Sequence, residues 1–207
     1  MISAEKALKR LQDGNRSFAS GEVSNNIPTA ASRNKLVASQ QPFAVILGCS
    51  DSRVPAELIF NQGLGDLFVI RIAGNIVAPS QIGSVEFAVE RFGTPLVVVL
   101  GHSRCGAVSA TLEEIMMQTE QQSPNLKAIV ERIRPAVEPL LSAKLVDNPE
   151  ALTELAVRAN VCASVNQLRH GSAIIEQQIQ KEDLLIVGAQ YSLETGVVDF
   201  FENLHQE

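Results

Sequence analysis

The sequence predicts an α/β domain with a mostly parallel central sheet flanked by helices. Three observations carry this. Four short runs are continuously apolar and rich in β-branched residues: Phe43–Leu47 (FAVIL), Leu67–Ile70 (LFVI), Leu96–Leu100 (LVVVL) and Leu184–Val187 (LLIV). Such runs suit strands buried on both faces, the usual state of a parallel sheet. Segments of helical spacing separate the runs, as in repeated strand–helix–strand units. The chain has 207 residues, 45% hydrophobic and 19% charged, which is ordinary globular composition and enough for one well-buried core. No internal repeat, low-complexity tract or linker divides it, so residues 1–207 read as a single domain.

The elements follow in order. Ser3 is a good N-cap, and Ala7, Leu8, Leu11 and Phe18 form an apolar stripe on a helix over residues 3–19. Gly21–Thr29 (GEVSNNIPT) has turn residues and no periodicity, so residues 1–30 read as a helical arm and an irregular connection. That separation predicts that the arm packs on a partner subunit rather than on its own core. Residues 80–92 and 105–117 are helical, and the acidic groups Glu113, Glu114 and Glu120 read as a solvated helix face. Residues 124–143 are helical, with Pro135 and Pro139 read as breaks or helix starts. Asn148-Pro149 opens a long helix with the stripe Leu152, Leu155, Ala159 and Cys162, broken near Gly171 and resumed to Gln180. After the last strand, GAQYSLETGVVDF reads as a turn and a short closing element.

Composition narrows the function. There are 17 basic and 23 acidic residues, net −6, with no basic patch, which argues against nucleic-acid binding. No apolar run is long enough to span a bilayer. MISAEKALKRLQDGNRSF lacks the apolar centre of a signal peptide. Three cysteines, Cys49, Cys105 and Cys162, do not suggest a disulfide framework, so reduced thiols in the cytoplasm are the simpler reading. An exported chain with a trimmed presequence would look the same.

The chemistry gathers in GCSDSR (48–53) and GHSRC (101–105), each directly after an apolar strand. Ligands bind open α/β sheets at the carboxyl ends of strands, so Cys49, His102 and Cys105 should emerge on one edge. Two thiolates and an imidazole are a zinc set; with an open fourth position they make a catalytic site, with a fourth protein ligand a structural one. Cys162 sits on an apolar helical stripe and reads as core, and His170 and His205 read as solvated or helix-end residues. The fourth position therefore falls to water or to Asp51. Asp51 and Arg53 form either a surface ion pair or a pair in which the guanidinium fork holds the carboxylate off the metal. Gly63-Leu64-Gly65 begins a dinucleotide fingerprint, but Phe68 stands where its third glycine belongs. GHSRC departs from a nucleophile elbow at Cys105.

CSDSR at 49–53 with HSRC at 102–105 resembles the β-class carbonic anhydrases. The likeness extends through QQPFAVILGCSDSRVPAELIFNQGLGDLFVIRIAGNIV and GSVEFAVERFGTPLVVVLGHSRCGAV, most of residues 40–110. The resemblance implies one Zn²⁺ per subunit on Cys49, His102 and Cys105, a catalytic dyad of Asp51 and Arg53, and Asp51 as a fourth zinc ligand in a closed state. It implies an active site at a dimer interface and self-association as dimers, tetramers or larger. Gln40, nine residues before Cys49, corresponds to a substrate-binding glutamine, and Phe68 and Phe87 to aromatic pocket residues. Plant-like members commonly carry tyrosine at the Phe87 place, so a hydroxyl is missing here. A subgroup with a noncatalytic bicarbonate site uses a tryptophan three residues before the first cysteine; this chain has Ile46 there and no tryptophan, so that site is expected to be absent. The implied reaction is hydration of CO₂ to bicarbonate and a proton by attack of zinc-bound hydroxide. The rivals are a CS₂ or COS hydrolase on the same site, a noncatalytic zinc scaffold and a nucleotide-binding module. Retention of Asp51 and Arg53 beside the ligands counts against a scaffold.

Overall fold

A computed structural model describes residues 2–22, 28–117, 123–142 and 148–201. Helix α1 spans Ala4–Ala19, with the Ser3 hydroxyl accepting from the Lys6 N–H. Its apolar stripe packs on the chain's own core, not away from it as the irregular connection suggested. Ala7, Leu8 and Leu11 are buried in one cluster with Phe43, Ile46, Ile59 and Phe60. Buried Asn15 fastens the helix further: its amide donates to the carbonyls of Ile59 (3.2 Å) and Gly196 (2.9 Å), and its Oδ1 accepts from the Val198 N–H (2.8 Å). The Gly21–Thr29 connection lies partly outside the described residues, and a short helix α2, Ala30–Leu36, follows it.

The four apolar runs are strands. β1 is Ala44–Gly48, β2 Leu67–Arg71, β3 Leu96–His102 and β4 Leu185–Tyr191; the closing element is a fifth strand, β5, Val198–Phe201. β4 runs to Tyr191 because it pairs along the whole of β3, from Leu96↔Leu185 to His102↔Tyr191. The order is β2-β1-β3-β4-β5, parallel except for β5. Every residue of β1 and β3 is buried. The chain leaves β1 for β2 on one side and returns for β3 on the other, so the gap between the carboxyl ends of β1 and β3 is a topological switch point, where open sheets bind ligands.

Helices cover both faces. α1 and the one-turn helix α3, Ala56–Ile59, lie on the face of Ala44, Ile46, Val98 and Leu100. On the face of Val45, Leu47, Val97 and Val99 lie α4, Pro79–Phe92, then α7, Pro149–His170, and α8, Ala173–Gln180. α5, Gly106–Met117, and α6, Pro124–Val137, build a third cluster over the carboxyl edge with Cys49, Cys105 and Ile133.

Three expectations shift in phase or place. The α7 stripe is not Leu152, Leu155, Ala159 and Cys162. It is Leu152, Ala156, Val157, Asn160, Val161, Ser164, Val165 and Leu168, and Leu155 is exposed. Cys162 is consequently half-buried rather than core, with burial pushing its thiol up. Pro135 does not break its helix: it lies inside α6, whose regular part ends at Val137 before a 3₁₀ turn from Glu138. Glu114 is not solvated; it is largely buried and accepts from the Arg134 guanidinium at 2.7 Å, while Glu120 lies outside the described residues.

Candidate metal centre

Cys49 is the first residue past β1, and His102 is the last of β3. The turn after His102 returns the chain so that Cys105 stands at the start of α5. Arg104 takes a left-handed conformation in that turn (φ 55°), and its Nε is held by Glu194 at 2.7 Å. Ser103 fastens the turn: its hydroxyl donates to Glu194 (2.8 Å) and accepts from the Leu193 N–H (2.9 Å). The three candidate ligand atoms converge within 4.8 Å of one another, and all three residues are buried.

The donor set fits a metal. His102 Nδ1 lies 2.9 Å from the Ser103 carbonyl, which fixes the proton on Nδ1 and leaves Nε2 as an acceptor. His102 is fully buried, and Nε2 has no hydrogen-bond partner. A buried polar atom without a partner is costly, and here it faces two thiols. The Cys105 thiol beside it pushes the Cys49 thiol down to about 4, helped by the Gly74 N–H at 3.4 Å. Cys105 is pushed up, by Cys49 and by burial, although the Val108 and Ala107 N–H groups at the start of α5 favour its thiolate. Two thiols this close oppose each other's ionisation, and a divalent cation between them would favour both thiolates. Such a soft, buried, tetrahedral-ready set is typical of zinc.

Asp51 and Arg53 are a bidentate pair. Asp51 Oδ1 accepts from Arg53 Nε (2.9 Å) and the Arg53 N–H (2.9 Å), and Oδ2 accepts from Nη2 (2.7 Å). Arg53 therefore holds the Asp51 carboxyl well below the usual carboxylate range. Asp51 Oδ2 is 3.9 Å from His102 Nε2, so the carboxylate stands at the ligand group while engaged elsewhere.

The substrate-binding candidates gather in a different place. Phe68, Phe87 and Phe92 form an aromatic cluster with ring centroids 5.6–6.2 Å apart. Gln40 lines a cleft with Arg33, Leu64, Arg91 and Phe92, so Phe92 joins it to the aromatics. This region is on the β2 edge. Phe68 pairs with Val45, three residues before Gly48, or about 10 Å back along the strand from the carboxyl end. His170 is exposed and lies 3.4 Å from Glu176, a helix-end role; His205 is outside the described residues.

A family model described as "Carbonic anhydrase" matches residues 44–198. The chain is 40% identical over 202 residues to a carbonic anhydrase of Mycolicibacterium smegmatis, covering 96% of this chain and 93% of that one. The chain belongs to the β-carbonic anhydrase family. Among solved structures, the β-carbonic anhydrase of Coccomyxa in complex with acetazolamide superposes with a TM-score of 0.71 at 26% identity, covering 93% of this chain and 85% of that one. A β-carbonic anhydrase of Sordaria macrospora, described as tetrameric, shares the fold with a TM-score of 0.71 at 24% identity over 91% of this chain and 93% of that one. The enzyme class of this β-carbonic anhydrase is carbonate dehydratase, a lyase. No helix of the described residues is long and apolar enough to cross a membrane.

The sequence reading missed the residues that hold the Cys49–His102–Cys105 group from behind. Arg71 donates from Nε to the Cys49 carbonyl (3.1 Å) and from Nη2 to the Asp51 carbonyl (2.6 Å), fixing the backbone of the CSDSR loop. Gly74 sits in a 3₁₀ turn, Ala73–Asn75, with φ 68°; a Cβ there would meet Ile133 Cδ1 at 2.7 Å. RIAGN after a strand was the available signal, an arginine and a glycine where the chain leaves the sheet.

Proposed function

We propose that this chain hydrates CO₂ reversibly to bicarbonate and a proton, with one zinc ion per subunit held by Cys49, His102 and Cys105. The observation that carries the reading is the buried, unpartnered His102 Nε2 facing two thiols, with Asp51 locked in the Arg53 fork beside it. Bound zinc supplies the Lewis acidity that brings the pKa of water toward about 7, against roughly 15.7 in bulk.

The chain's own residues do the rest. Asp51 accepts a hydrogen bond from the attacking water and orients its lone pair toward the carbon. Arg53 keeps Asp51 ionised and supports an open fourth position, since both carboxylate oxygens are already engaged. Gln40 donates to a substrate oxygen, and Phe68 and Phe87 wall a pocket suited to a neutral, linear molecule. Because these three lie on the β2 edge of their own chain, they serve the metal centre of a partner subunit. Exposed apolar side chains in the same region, Phe87 at 52% and Val37 at 83%, support burial by a second copy. The assembly is a dimer or tetramer of this chain in the cytoplasm, where three free cysteines are stable.

Stopped-flow CO₂ hydration on zinc-quantified protein tests the reading at neutral and alkaline pH. Activity at both is the expected result and marks an open site. Activity only at alkaline pH marks closure by Asp51 at neutrality. A zinc-loaded protein inactive at both overturns CO₂ hydration and moves the assignment to CS₂ or COS hydrolysis or to a scaffold.

A further inference from the structure

α7 carries two polar residues on an otherwise apolar buried face. Asn160 is 2% exposed and Ser164, one helical turn on, is also buried. Plain helix-on-sheet packing would favour an apolar residue at both positions, because a buried amide or hydroxyl must recover the hydrogen bonds it loses to water. Both recover them from one short segment. Asn160 Nδ2 donates to the Gly74 carbonyl at 2.8 Å, and Ser164 Oγ donates to the Asn75 carbonyl at 3.1 Å. Two consecutive carbonyls of the 3₁₀ turn are thereby drawn toward α7. Gly74 has φ 68° and Asn75, between the two carbonyls, φ 42°, so the turn is held in a conformation that most residues avoid. The Gly74 N–H, on the other side of that residue, donates to Cys49 Sγ at 3.4 Å.

We propose that Asn160 is a positioning residue for the metal ligand Cys49, acting through the backbone of Gly74, with Ser164 supporting the same turn. The proposal rests on Cys49 being a zinc ligand. Asn160 and Ser164 fix the turn, the turn aims one N–H at the sulfur, and that N–H sets both the direction of Sγ and how much charge the thiolate gives to the metal. Arg71 completes the clamp by holding the Cys49 carbonyl. Outer partners of this kind act on metal affinity without touching the metal.

The test compares Asn160→Leu and Ser164→Ala with Leu168→Ala, a buried apolar truncation two turns further along α7. Three quantities are read on each: thermal stability, zinc affinity by competition with a chromophoric chelator, and the thiolate-to-cobalt charge-transfer band after substitution with Co²⁺. Asn160→Leu should weaken zinc by about tenfold and move the band. Ser164→Ala should do both in the same direction and less, while Leu168→Ala lowers stability and leaves zinc affinity and the band in place. Unchanged affinity and an unmoved band in Asn160→Leu overturn the proposal, whatever the stability. If that variant does not fold, Ser164→Ala decides on the same two readouts, and no change there overturns it. A parent protein that shows no thiolate band with cobalt and takes up no zinc fails differently: it removes the zinc reading itself, and the proposal with it.

Discussion

The Cys49–His102–Cys105 group and the Gln40–Phe68–Phe87 region are built in opposite ways. The first is buried and is held from within the chain, by Ser103 on His102, by Arg71 and Gly74 on Cys49, and by the start of α5 at Cys105. The second lies on the β2 edge, with Gln40 exposed and Phe87 half open to solvent. On the proposed function, a single chain completes the metal-binding half of the site and a second copy finishes the substrate half. The two halves should fail separately when perturbed. Changes in the first should remove metal or chemistry and leave assembly intact; changes in the second should weaken assembly and leave the metal in place, lowering turnover only through the lost pairing.

Cys105→Ala carries the largest expected effect. It removes one of three donors and leaves the His102 Nε2 without the geometry of a site. The variant should lose most bound zinc and, with it, essentially all turnover, as read by metal analysis of the purified protein. Full zinc occupancy would overturn the ligand set. Its quaternary state, read by sedimentation, should match the parent; dissociation would show that the two halves are not independent.

Asp51→Asn should be smaller and more selective. The amide retains the shape of the carboxylate but loses its charge, and with it the strong acceptor that Arg53 holds in place. Zinc should remain, and turnover should fall by about a hundredfold, the lower end of what a positioned acid–base group contributes. Near-parental turnover would take Asp51 out of the mechanism.

The same contrast explains what could be read from the sequence. The strands were legible because β1 and β3 are buried on both faces and so are apolar without interruption. The Cys49–His102–Cys105 group was legible because its residues stand at or just past the ends of those strands, and the sheet order does the rest. The supporting residues were not. Asn160 and Ser164 reach Gly74 and Asn75 across 86 and 89 residues, and their targets are backbone carbonyls, which no side-chain pattern announces. They also misled the reading of α7: polar residues on its buried face pushed the inferred stripe round to Leu155 and Cys162. α3 is a single turn that starts after Pro55 without a side-chain cap, so neither periodicity nor a capping residue marks it. The arm was misjudged for a related reason. Its docking relies on Asn15, a polar side chain bonded to residues that lie 44 and 181 positions away, and not on the stripe alone.

Phe87→Lys separates the halves from the other side. Phe87 meets Phe92 edge to face at 5.6 Å and Phe68 at 6.2 Å, so its inner edge is already packed and its outer face remains for a partner. A lysine keeps a long stem over Phe92 and places an ammonium where a second copy would press an apolar surface. The metal ligands are untouched, so zinc content should stay at the parental level. Association should weaken by about 2 kcal/mol or more, the scale of a buried aromatic anchor at an interface, and sedimentation should shift toward smaller species. Turnover should fall by a smaller factor than in Asp51→Asn and should recover in part as protein concentration rises, because mass action restores the pairing that completes the pocket. That concentration dependence is the discriminating readout. A variant that stays fully assembled, or one that dissociates with no loss of turnover per zinc, would show that the metal centre does not depend on the β2 edge of another chain.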